Sequence, residues 1–107
     1  MKNINPPELA AWLADPRREK PVLLDVREPW EFEKARIEGA LHIPMREVPA
    51  RLAEIAADKE IVAICHHGGR SMQVAMFLEK NGFSKVHNLA GGVNGWSQAV
   101  DPSVPVY

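Results

Sequence analysis

The segment Cys65-His66-His67-Gly68-Gly69-Arg70-Ser71 gathers the only thiol of the chain with two imidazoles, two glycines, a guanidinium and a hydroxyl. It follows Ile61-Val62-Ala63-Ile64, an apolar run of strand length, and precedes Val74, Ala75, Phe77 and Leu78, which recur at helical period. A tight loop from a buried strand into a helix N-terminus is therefore expected. The first N–H groups of a helix have no intrahelical partner, and with the helix dipole they favour a negative charge. A cysteine opening such a loop is expected to be held as its nucleophilic thiolate. Gly68 and Gly69 allow positive φ and so let the loop amides, from His66 to Ser71, turn inward. Arg70 is expected to add a fixed positive charge, and Ser71 to cap the helix and donate to the sulfur.

Two chemistries suit a thiolate in a cradle of N–H donors. One is phosphate-ester hydrolysis through a phosphocysteine, and the other is attack on a sulfane sulfur to give a persulfide. An inert core cysteine is the commonest generic reading of a lone Cys at a strand end, but the polar and glycine-rich residues after it would line a core poorly. A metal site at Cys65, His66 and His67 is not expected, because three consecutive residues rarely converge on one ion and no second Cys/His cluster completes the ligand set. The imidazoles are expected to line the mouth of the pocket.

The flanking elements must place this loop. Asn5 reads as the N-cap of a short helix begun by Pro6, Pro7 and Glu8 and ending near Asp15-Pro16. Val22–Val26 reads as a strand buried on both faces, with Asp25 embedded in it and in need of a partner, for which Arg27, Arg70 or loop amides are candidates. A short amphipathic stretch follows from Pro29, then a turn and brief strand over 39–44. The spacing of Val48, Leu52 and Ile55 predicts a helix from Arg46 to Ile55. Val86–Leu89 reads as another strand, Gly91-Gly92 as a turn, Val93–Val100 as a short helix and 101–107 as an irregular tail. Alternating strands and helices predict an α/β fold, a parallel sheet with helices on both faces, with ligands bound beyond the carboxyl ends of the strands. Trp12, Trp30 and Trp96 are read as packing residues.

The loop also resembles the active loop of the rhodanese family: a cysteine, four residues, then a basic or polar residue. Phosphatases of the same fold carry five residues there, and a tetrahedral phosphoryl group needs a wider ring of amides than a sulfur atom does. The resemblance continues in Asp25-Val26-Arg27-Glu28-Pro29-Trp30-Glu31-Phe32, in Gly39-Ala40-Leu41-His42-Ile43-Pro44 and in Leu89-Ala90-Gly91-Gly92-Val93-Asn94-Gly95-Trp96. It implies a five-stranded parallel sheet and a sulfurtransferase that moves sulfane sulfur, as a Cys65 persulfide, from a small anionic donor such as thiosulfate to cyanide, a thiol or an acceptor protein. It implies no cofactor. It places Arg27 near the loop, where the side chain would either attract anionic donors or be a surface charge. The tail Val100–Tyr107 resembles the ending of rhodanese domains attached to sulfur-carrier-activating enzymes, so a partner-dependent persulfide relay with poor turnover of small donors is the alternative. A phosphatase-like cysteine enzyme is the remote one.

The chain has 107 residues, enough for one ordinary domain over 1–107 with its core motifs in 22–98. Thirteen basic and 14 acidic side chains are interspersed, which points away from nucleic acid. No apolar stretch of membrane-spanning or signal-peptide length is present, and one cysteine makes no internal disulfide. A monomeric cytoplasmic protein is expected.

Overall fold

The computed structural model describes residues 1–107. Its centre is one parallel sheet of β1 (Lys2–Ile4), β2 (Val22–Asp25), β3 (Leu41–His42), β4 (Ile61–Ile64) and β5 (Val86–Leu89), in the order β1-β5-β4-β2-β3. Four α-helices connect and cover it: α1 (Pro6–Ala14), α2 (Pro29–Lys34), α3 (Gly69–Lys80) and α4 (Gly92–Ala99). This is the expected five-stranded α/β architecture.

The apolar run of β4 splits by strand alternation between two cores. Ile61, Ala63 and Cys65 face Val74, Ala75 and Leu78 of α3, while Val62 and Ile64 face Leu9, Trp12, Val93 and Trp96 of α1 and α4. All four β4 residues are wholly buried, which is why the strand reads as continuous apolar sequence. Helix α1 begins as its sequence predicts, with Asn5 and Glu8 in a reciprocal capping box and Pro6 in the first turn.

Two elements differ from the sequence reading. Met45–Glu54 forms 3-10 turns broken at Arg51 rather than an α-helix. Pro49 supplies no N–H and crowds the preceding turn, so a regular i to i−4 ladder cannot run through it. Val48 and Ile55 are nevertheless buried on the α3 side, which accounts for their helical spacing. Strand β1 has no signal in the sequence. It is three residues long, with only Ile4 buried, and it exists through pairing with β5, Asn3 standing opposite Asn88.

Because every strand is parallel, the segments after β2, β4 and β5 emerge at one edge of the sheet. Central β4 delivers Cys65 there, flanked by the Asp25–Glu28 segment and by the Gly91-Gly92 turn.

Candidate active site

Cys65 is 1% exposed, and its sulfur accepts from Gly68 N at 3.0 Å. Gly68 reaches that position at φ 111°, where a side chain would be strained, and so serves as the left-handed cap that starts α3. Gly69, by contrast, lies in α3 at ordinary φ, so one of the two glycines, not both, bears the conformational demand. Ser71, fully buried, brings its Oγ to 3.3 Å from Sγ. The amides of Gly69, Arg70 and Ser71 have no protein acceptor and lie at the positive end of the α3 dipole.

The loop is aimed from behind by α4. Val93 N and Asn94 N, in its first turn, donate to the carbonyls of Cys65 and His66 at 2.9 and 3.0 Å. A planar trans peptide carries its N–H opposite its C=O, so the amides of His66 and His67 point away from α4, toward the side where Cys65 packs. The approach depends on Gly92: a Cβ there would lie 2.3 Å from Cys65 O and 2.4 Å from His66 O. The second glycine of the Gly91-Gly92 pair is thus part of the loop's support.

Arg70 does not present a free charge. Its two terminal nitrogens donate to the two oxygens of Glu31 at 2.7 and 2.8 Å, a bidentate pair in which Glu31 is 5% exposed and Arg70 38%. The Arg70 fork, helped by the Glu28 amide and the Tyr107 hydroxyl, holds the Glu31 carboxyl well below the usual range, at about 2, against the opposing effect of burial. Glu31 in turn raises the Arg70 pKa.

Arg27 lies inside the protein, 0% exposed, rather than on a surface that meets donors. Its Nε and Nη2 bind both oxygens of wholly buried Asp25 at 2.9 and 2.7 Å. Nη1 donates to Glu31 O at 3.2 Å and to the Tyr107 hydroxyl at 2.8 Å, and Nη2 also meets Ala35 O. Burial works against its charge, and Asp25 more than offsets this, leaving the pKa raised. Asp25 thus has the partner its position demands, and the pair braces the segment leading to Glu31. Of the two alternatives for Arg27, burial rules out the surface charge and also places the guanidinium out of reach of an anionic donor.

The tail has no regular structure but is not loose. Ser97 Oγ holds Val104 O at 2.6 Å, and Tyr107 returns to the site with its hydroxyl between Arg27 and Glu31. Burial pushes the Tyr107 pKa up to about 12, so the hydroxyl keeps its proton. Its ring stacks on His66 at 4.0 Å with 12° between planes. Burial, then the neighbouring His67, lower the His66 pKa and favour a neutral imidazole. His66 and His67 are themselves in ring contact, 3.9 Å apart, with His67 exposed. No group of three or more His, Cys, Asp or Glu side chains is arranged to hold a metal ion.

A buried thiol that accepts from Gly68 N at the start of α3, with unpaired first-turn amides and a paired guanidinium beside it, suits nucleophilic chemistry at sulfur. The family profile described as Rhodanese-like domain matches residues 7–99. The chain belongs to the rhodanese-like domain family. A sulfurtransferase of Allochromatium vinosum is 36% identical to it, over 92% of this chain and 90% of that protein. A rhodanese-like/PpiC domain-containing chloroplastic protein of Arabidopsis thaliana is 38% identical over the whole of this chain. The chain spans only 38% of that protein's length, and 40% of the length of a putative sulfur carrier protein of Bacillus subtilis to which it is 47% identical over 70% of this chain. The crystal structure of a rhodanese-like domain protein from Staphylococcus aureus superposes with a TM-score of 0.85 at 29% identity, covering 100% of this chain and 99% of the other. A thiosulfate sulfurtransferase of Pseudomonas syringae is also 36% identical, over 85% of this chain and 83% of that protein. No helix is long and apolar enough to cross a membrane.

Glu31, Asn88, Gly92 and Tyr107 contact the loop or its partners although the sequence alone assigns them no role there. Glu31 and Gly92 stood within family-like segments, and their partners lie far away in sequence. Tyr107 stood in a tail without periodicity. Asn88, a polar residue inside a strand, was the one signal available for its own burial.

Proposed function

We propose that this protein carries sulfane sulfur on Cys65 as a persulfide, taking it from an anionic donor such as thiosulfate and passing it to a thiophilic acceptor. The observation that carries the reading is the Cys65 sulfur set at the start of α3, with Gly68 N at 3.0 Å and unpaired first-turn amides next to it. In the first step the thiolate attacks the outer sulfur of the donor, a new S–S bond forms, and the donor's S–S bond breaks with its electron pair leaving on sulfite. The amides then face the anionic outer sulfur of Cys65–S–S⁻. In the second step cyanide, a thiol or an acceptor protein attacks that sulfur, and Cys65 leaves as thiolate. No metal or organic cofactor enters either step. A reducing compartment such as the cytoplasm would suit the acceptor step.

One observation favours a partner-dependent relay over rapid turnover of small donors. The Arg70 fork that would attract a free dianion is filled by Glu31. Thiocyanate release from thiosulfate and cyanide, measured for wild type and Cys65→Ser, tests the shared chemistry: loss of turnover in the serine variant with an unchanged circular dichroism spectrum is expected, and wild-type turnover would eliminate the mechanism. If wild type itself turns over slowly, a mixed-disulfide trap at Cys65 separates the readings, because recovery of no specific protein counts against the relay.

A further inference from the structure

We propose that Asn88 is a positioning residue that competes with the Cys65 sulfur for the single hydrogen of Ser71. Asn88 lies on β5, 1% exposed, and its Nδ2 donates to Gly68 O at 3.2 Å and to Asn3 Oδ1 at 3.1 Å. A backbone carbonyl only accepts, so the contact with Gly68 fixes which end of the amide is nitrogen. Its oxygen is thereby turned to Ser71 Oγ, 2.5 Å away, and has no other partner. Ser71 also lies 3.3 Å from Cys65 Sγ, but a hydroxyl has one hydrogen to give.

With Cys65 as a thiol, the amide oxygen is the stronger acceptor and keeps that hydrogen. With Cys65 as a thiolate, a charge-assisted bond draws the hydrogen toward sulfur. The Asn88 oxygen is then left buried and unpaired, which costs free energy. No proton changes owner; the Ser71 hydrogen changes acceptor. Asn88 therefore withholds part of what Ser71 could give the thiolate, leaving Gly68 N as the steady donor. A less stabilised thiolate is the stronger nucleophile and the poorer leaving group, so Asn88 favours taking up sulfur over releasing it. This consequence rests on the persulfide reading.

The charged and titratable groups around the sulfur are arranged independently of this contact. Arg70 of α3 is paired with Glu31 of α2, Asp25 at the end of β2 and Arg27 just after it bind each other, Tyr107 of the tail lies on Arg27 and Glu31, and His66 and His67 are neighbours in the loop. None of them hydrogen-bonds to Ser71 or Asn88, so a change at Asn88 leaves their charges in place.

The test is the rate of Cys65 alkylation by iodoacetamide across pH, read as the rate at pH 7 relative to the high-pH plateau. Asn88→Leu should raise this ratio about fivefold, the equivalent of one net hydrogen bond, and the rise should vanish when Ser71→Ala is also present. Asn3→Ala, which leaves the Asn88 oxygen on Ser71, should not change it. An unchanged ratio in Asn88→Leu, or an equal rise in the Ser71→Ala background, would overturn the proposal. If circular dichroism shows that Asn88→Leu does not fold, Asn88→Ala is read by the same criteria. Alkylation needs no sulfur donor, so the result stands apart from whether sulfur transfer is found.

Discussion

Replacing Glu31 by Gln removes the charge that fills the Arg70 fork while nearly preserving side-chain volume. The structure sets the size of the effect. The fall of the Glu31 pKa from its ordinary 4.5 to about 2 corresponds to about 3 kcal/mol at full strength. Arg70 is 38% exposed and water screens it, so about 2 kcal/mol is the expected loss at neutral pH. The sign of the pH dependence follows from the depressed value: the stabilisation is complete above about pH 4.5 and disappears as pH falls toward 2. Urea unfolding of wild type and Glu31→Gln at about pH 7, 4 and 3 reads this directly. The difference between the proteins should be about 2 kcal/mol at pH 7 and shrink steadily through the two acidic points. A difference of the same size at all three pH values would show that the variant acts through packing rather than through the ion pair. The same substitution frees a guanidinium beside Cys65, so use of a dianionic donor should improve, and improve less as salt is raised.

Two further substitutions test how the loop is held. Arg27→Met leaves Asp25 buried without its partner and should destabilise by about 3–5 kcal/mol in chemical denaturation; a loss below about 1 kcal/mol would mean that Asp25 is not held as a buried charge. Gly92→Ala puts a methyl group against the Cys65 and His66 carbonyls at positive φ, and should cost at least about 2 kcal/mol together with most of the sulfur transfer. Near-wild-type stability and activity in that variant would show that α4 does not clamp the loop.

Much of this arrangement is legible in the sequence because it is local. The strand, glycine loop and helix around Cys65 are contiguous, and β2 and β4 appear as largely apolar runs because both faces of each are covered. The rest depends on contacts between distant segments. Strand β1 is too short and too polar to show a period and exists only against β5. The Met45–Glu54 segment has helical spacing because one side of it is buried, while Pro49 prevents the helical bonds. Arg70 looks like a free cation until Glu31, 39 positions away, is placed in its fork. Arg27 looks like a surface charge until Asp25, Ala35 and Tyr107 surround it. The tail lacks regular structure, so its return to the site through Tyr107 leaves no periodic trace.

The central claim is that sulfur resides on Cys65, and intact-protein mass measured before and after thiosulfate tests it most directly. The mass should rise by one sulfur atom, return to its starting value with cyanide, and not change in Cys65→Ser. An unchanged wild-type mass after thiosulfate, mercaptopyruvate and polysulfide, or an equal gain in the serine variant, would contradict the persulfide account.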